Sequence, residues 1–371
     1  MRKTSVAAIF ATAVVGIAAA QVPGASPSQS QAPAQAQVPP PPTAAISAQQ
    51  RDAGIDAVAN LVESLYVDPD LAKRMAADLR QRKGRGEYSH ILTGQALASA
   101  LLAHLRAVSN DKHLGLTYSP QVLPQAAPQA GGAPNPNSLN DLKLQRAQKN
   151  YGFPKVEVLE GNIGYLRIDG FDPPELNRDT IAAAFAFLAN VDALIIDLRE
   201  NTGGAAASVA LLASYLFNDS VHLNDIYNRT DNTTTSFYTD PQAAAVKLPT
   251  QKVYLLTSFK TFSAGEGFVY HLQALKRAQV IGEATGGGAH PTAIVWANAD
   301  FVVALPASKA VNPITKTNWE GKGVQPDVHS PASRALDAAR VMALEDLIAS
   351  TSDPARRAAL QQALARAKTA P

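Results

Sequence analysis

The chain has 371 residues, of which 46% are hydrophobic, enough to bury a core of ordinary size. It contains no cysteine, which excludes disulfides, thiolate metal sites and lipid attachment through a thiol. Its formal charge of +2 is too small for a nucleic-acid-binding surface to be expected.

Met1 to Ala20 has the make-up of an export signal: Arg2 and Lys3, an apolar run from Val6 to Ile17, then Ala18-Ala19-Ala20. The run is short and alanine-rich for a membrane anchor. The mature chain is therefore expected to be exported, periplasmic or secreted, with no membrane span. Losing Arg2 and Lys3 would leave it close to neutral, which again disfavours nucleic acid. Residues 21–47, rich in Pro, Gln, Ala and Ser, lack the apolar side chains to offset ordering entropy and read as an unstructured tether.

From 48 to 118 the pattern is helical. Ile55, Val58, Leu61, Val62 and Leu65 recur at helical spacing, as do Leu97, Leu101, Leu102 and Leu105. This predicts a small N-terminal helical domain ending in the polar stretch Ser109 to His113 and a short strand. Residues 119–140 read as a Pro/Gly/Gln-rich loop. A core domain is expected over 141–330, with strands at Ile163 to Ile168, Ala193 to Leu198, Val253 to Leu256, Val280 to Gly282, Ile294 to Ala297 and Phe301 to Leu305. Helices are expected at Ile181 to Leu188 and Ala206 to Phe217. Alternation of strands and helices points to an α/β (α+β) fold. Residues 331–371 are helical again and expected to pack outside.

The stretch most suited to chemistry is Thr257 to Phe268, where a buried strand gives way to a helix at Ser263. The first N–H groups of a helix have no internal partner, so a hydroxyl there can serve as a nucleophile beside a site for a developing oxyanion. Ser263-Ala264-Gly265-Glu266 also fits a capping box, a purely structural use of the same residues. A second candidate is Asp197 to Gly204, a strand end followed by two glycines that let backbone N–H groups approach a ligand. The Walker spacing and its lysine are missing, which disfavours a phosphate loop. Seven histidines are available as a base. No HExxH pair exists, so a zinc hydrolase of that type is disfavoured. His113 is singled out by its setting between the helical region and a strand. Glu320, between Trp319 and a Gly-x-Gly turn, could orient an imidazole or could be a solvated loop acid.

Taken together, Asp-Leu-Arg-x-Asn-x-Gly-Gly at 197, Thr-Phe-Ser-Ala-x-Glu at 261, Gly-Glu-x-Thr-Gly-Gly-Gly at 282 and Glu-Gly-x-Gly-Val-x-Pro-Asp at 320 resemble the tail-specific, or C-terminal processing, serine protease superfamily. The resemblance covers most of 52–328. It is nearest to the branch of the interphotoreceptor retinoid-binding protein, with tricorn protease more distant. It implies a crotonase-like ββα core behind the helical domain, a peptide or protein substrate, and no metal or cofactor; no stretch of this chain reads as the PDZ domain found in many processing proteases. It places the nucleophile at Ser263 and the oxyanion hole at the N–H of Ala264 with that of Gly203 or Gly204. The processing branch uses a lysine base, but the matching position is Gly288, which cannot take a proton. The tricorn-like solution, serine with histidine and glutamate, maps onto Ser263, His113 and Glu320. Lys112 stands where tricorn has a serine, leaving open how Glu320 couples to His113.

The retinoid carrier of this branch implies an alternative, a non-catalytic binder of apolar ligands. Phe259, Phe262, Phe268, Trp296 and Trp319 could line its pocket, with core packing the alternative reading for most of them.

Overall fold

The computed structural model describes residues 45–120 and 143–369. The expected export signal, most of the tether and most of the 119–140 loop lie outside the described residues.

Three helices open the chain: α1 (Ala48–Leu65), α2 (Pro69–Gly84) and α3 (Gly94–Ser109). Each begins on a side-chain cap. Ser47 forms a capping box with Gln50, Asp68 accepts from Asp70 and Leu71 N–H ahead of Pro69, and Thr93 accepts from Ala96 N–H. Helix α3 ends on Asn110 in the left-handed region, φ 56°, which turns the chain sharply into Asp111 and His113.

Strand β1 (Gly115–Tyr118) follows, and it does not stay with the helices. It pairs antiparallel with β10 (Phe301–Pro306), which in turn pairs with β9 (Thr292–Trp296). The apolar cluster beneath α1 to α3 is completed by Phe301, Val303 and Leu305 of β10. The helical segment therefore closes its core with side chains from the other end of the chain, which local periodicity does not reveal.

The central sheet has six strands: β2 (Lys155–Leu159), β3 (Ile163–Arg167), β4 (Ala193–Asp197), β7 (Lys252–Thr257), β8 (Ala278–Gly282) and β12 (Val328–His329). Their order is β12-β8-β7-β4-β3-β2, parallel except for β2 at one edge. Parallel strands covered on both faces should be apolar on both, and β4 is buried at every position. Its alternate residues serve opposite layers. Leu194 and Ile196 join the core with α4 (Pro174–Phe187), α5 (Ala206–Ser214) and α6 (Ala264–Ala274). Ala193 and Ile195 face α7 (Ala335–Ser350) and α8 (Pro354–Thr369). A third sheet of β5 (His222–Asn228), β6 (Thr233–Tyr238) and β11 (Ser308–Val311) stands beside the site. The helix expected to reach Phe217 stops at Ser214. β2, β5, β6, β11 and β12 carry no clear apolar run, and sequence patterning missed them.

Candidate active site

Ser263 sits at the junction of β7 and α6 with φ 54° and ψ −122°, a strained conformation for a residue with a Cβ. The geometry is held from several sides. Its N–H donates to Glu266 Oε2 at 2.9 Å, and Phe262 N–H donates to the Asn201 carbonyl at 2.9 Å. The capping-box pattern is present, and the hydroxyl also meets a histidine: Ser263 Oγ lies 3.1 Å from His113 Nε2. The structural and chemical readings of this serine are therefore compatible.

His113 is carried on the turn between α3 and β1. Arg106 holds that turn, donating to Leu114 O at 2.6 and 3.1 Å and to Lys112 O at 3.2 Å. The His113 N–H donates to Asp111 Oδ1 at 2.8 Å. Its ring packs on Phe262 with centroids 4.6 Å apart. Lys112 turns away, its Nζ donating to Gly286 O at 2.5 Å.

Gly288, where the processing branch has lysine, faces the same space. A Cβ there would collide with His113 Cε1 and Phe262 Cζ. The imidazole thus fills the volume a side chain at 288 would need.

Behind His113 lies a buried acid pair. Asp111 is 1% exposed and accepts from His290 Nδ1 at 2.8 Å, from Tyr66 Oη at 2.9 Å and from the His113 N–H. Burial alone would raise its pKa, but His290 and the other donors outweigh that and hold it below the usual carboxylate range. Glu320 behaves oppositely. Burial, helped by the Asp111 charge and opposed by His290, pushes it up to about 7. Two acids in one buried space divide in this way because both cannot easily be ionised. Glu320 Oε2 accepts from Ala289 N–H at 2.5 Å and lies 3.6 Å from His290 Nδ1. Its Oε1 is buried without a partner, and so is His113 Nδ1. One oxygen from Asp111, one from Glu320 and a ring nitrogen of His113 lie within 4.8 Å of one another. His113 Nδ1 is 4.0 Å from Asp111 Oδ1. These atoms resemble a cation cage. Yet both Asp111 oxygens are already engaged, leaving two unpaired groups where structural metal sites commonly use four ligands. The arrangement suits proton handling better. Burial also lowers the His113 pKa, Asp111 opposing and His290 adding to the fall, so the ring is a neutral acceptor at ordinary pH.

The double glycine supplies the other half. Gly203 (φ 99°) and Gly204 (φ 137°) adopt backbone that favours glycine. Of the two N–H groups expected as alternatives, that of Gly203 is committed to Asn201 Oδ1 at 2.9 Å. Gly203 is thereby corrected from a possible donor to a spacer. The N–H groups of Gly204 and Ala264 have no partner among the described residues.

The sequence alone gives Asp111 and His290 no role, shows Asn201 only within the Asp-Leu-Arg-x-Asn motif, and reads Glu266 only as a helix cap. The polar run Asn110 to His113, that motif and the capping pattern are the signals that point toward any of them. The aromatic pocket expected of a carrier does not assemble. Phe259 is 67% exposed, Phe268 lies in the main core, and of the five only Trp319 lines the cavity beside Ser263.

Residues 162–330 match the family described as Peptidase family S41, and 46–160 match the N-terminal domain of that family as found in eukaryotic IRBP. Among solved structures, a candidate peptidase from Parabacteroides merdae ATCC 43184 is 19% identical, covering 79% of this chain and 96% of that one with a TM-score of 0.56. A lipoprotein from Streptococcus agalactiae is 16% identical over 80% and 96%, TM-score 0.50. A mutant of CPAF is 12% identical over 84% and 97%, TM-score 0.51. At these identities the likeness is one of fold. The family match makes the chain a serine-type peptidase. It belongs to peptidase family S41.

Proposed function

We propose that Ser263 is the nucleophile of this peptidase, His113 its general base, and Glu320 the carboxylate that orients the base. For Nε2 to accept the Ser263 proton, the ring proton must sit on Nδ1. The unpaired Glu320 Oε1 is the acceptor nearby with spare capacity. Asp111, held by Tyr66, His290 and the His113 N–H, fixes the His113 backbone, and its charge adds to the burial that raises Glu320. Attack of Oγ on a peptide carbonyl places the oxyanion between the Gly204 and Ala264 N–H groups, the latter at the start of α6. His113 then returns its proton to the leaving amine, and water releases the acyl group. The substrate is a peptide or protein, and the N-terminal sequence favours action after export.

The observation that carries this reading is the 3.1 Å approach of Ser263 Oγ to His113 Nε2, side chains 150 residues apart. A fluorophosphonate probe on the purified chain tests it. We expect one labelled serine, with label absent in Ser263→Ala and reduced about 100-fold or more in rate in His113→Ala. Label on another serine would refute the assignment.

A further inference from the structure

The cavity that opens on Ser263 and His113 has a volume of about 490 Å³, and its walls are mostly aliphatic and aromatic. Among the described residues, no Asp, Glu, Lys or Arg lines it. Apolar walls without a counter-charge reject an ionic side chain, because desolvating one costs more than such contacts return.

Besides Ser263, His113 and Thr292, two polar side chains interrupt the apolar lining. Asn224 is 5% exposed, and its carboxamide oxygen has no hydrogen-bond partner. His271, 3% exposed, sits on α6 two turns beyond Ser263. Its tautomer follows from its neighbour. Asn312 Oδ1 accepts from Ile314 N–H at 2.9 Å and Thr315 N–H at 3.1 Å, which fixes that amide. The Asn312 Nδ2 group therefore faces His271 Nδ1, at 3.4 Å, and must be the donor. The His271 proton then resides on Nε2. Burial holds the pKa at about 3, so the ring stays neutral. Among the described residues, the Nε2–H finds no acceptor. The lining thus carries a ring N–H and a carboxamide oxygen that have no partner among the described residues. Buried polar groups are nearly always paired, so such a pair points to an occupant that completes it.

We propose that this cavity is a specificity pocket for an uncharged carboxamide side chain, glutamine or asparagine, on the substrate residue beside the cleaved bond. The substrate amide exchanges hydrogen bonds with Asn224 and His271 Nε2–H while its methylenes lie against Val209, Ile226 and Trp319. A leucine of similar size leaves both wall groups unpaired. A site built to pair a polar tip discriminates steeply against an analogue lacking it. The proposal rests on Ser263 being the nucleophile.

The test is a peptide library varied on both sides of the scissile bond, run on the full chain, with fluorophosphonate labelling in parallel. We expect glutamine or asparagine at one flanking position to exceed leucine and methionine about 10-fold or more in kcat/KM. Glutamate and lysine should be rejected there. Asn224→Leu should reverse the glutamine-to-leucine ratio. If that variant does not fold, the library profile of the unaltered chain still decides. An aliphatic or flat profile with Ser263 labelled overturns the pocket assignment alone. Loss of labelling at Ser263 overturns the catalytic assignment beneath it.

Discussion

Glu320 makes the site responsive to acidity in two measurable ways. Its carboxyl, pushed up to about 7 by burial and the nearby Asp111 charge, is largely protonated in mildly acidic solution. On the proposed assignment, a protonated Oε1 is a poorer acceptor for a His113 Nδ1–H. The acid limb of kcat/KM should therefore fall near pH 7, although His113 itself is held below its ordinary value. Glu320→Gln should lower the plateau and remove that limb, and a pH–rate profile checks it. The same shift predicts a stability change. A carboxyl whose folded pKa exceeds its unfolded one destabilises the fold progressively as pH rises from about 4.5 to 7. Above that window Glu320→Gln should be the more stable protein, by on the order of 2 kcal/mol, with little difference at pH 4. Urea midpoints at pH 4 and 8 measure it. A neutral variant that gains stability while losing activity would show that the charge serves the reaction.

At the scale of the element, the start of α6 is tied to the loop after β8 by one buried side chain. Glu266 accepts from Ser263 N–H, Thr285 Oγ1, Gly287 N–H and Gly288 N–H, at 2.5 to 2.9 Å. Burial raises its pKa against those bonds. Glu266→Gln would turn an amide donor toward at least one existing donor. We expect a loss of about 2–4 kcal/mol in unfolding free energy, with slower labelling of Ser263. The sequence showed this element well but its role incompletely. A strand ending at Leu256 and a helix with a serine at its head follow from apolar spacing, so Ser263, Ala264 and the double glycine were legible. That Glu266 reaches Gly287 and Gly288 depends on a loop returning from β8, which periodicity does not encode. Asp111 was hidden for the same reason: its partners Tyr66 and His290 belong to elements far apart in the chain. The strands β5, β6 and β11, whose residues form part of the cavity wall, are too polar to announce themselves.

Across the whole molecule, two apolar cores share the task of placing one imidazole. The cluster under α1 to α3 includes Phe301, Val303 and Leu305, and β1 is zipped to β10 beside them. Gly54 in α1 leaves room for Phe301: a Cβ there would lie 2.6 Å from Phe301 Cε2. Gly54→Val should therefore push α1 off β10. We expect a cost of about 1–3 kcal/mol from overpacking, seen as a lower melting temperature. A larger fractional fall in kcat than in KM should accompany it, because the His113 turn rides on the displaced segment. Restoring space with Phe301→Leu should recover part of both.

Strand β1 also fixes when, during the life of a chain, hydrolysis can begin. It emerges early from the ribosome, but its hydrogen-bonding partner β10 is synthesised some two hundred residues later. Until that late strand arrives, the imidazole has no fixed place opposite the serine. On the proposed assignment, competence appears only once the β1–β10 pairing, the longest-range strand pairing among the described residues, has closed.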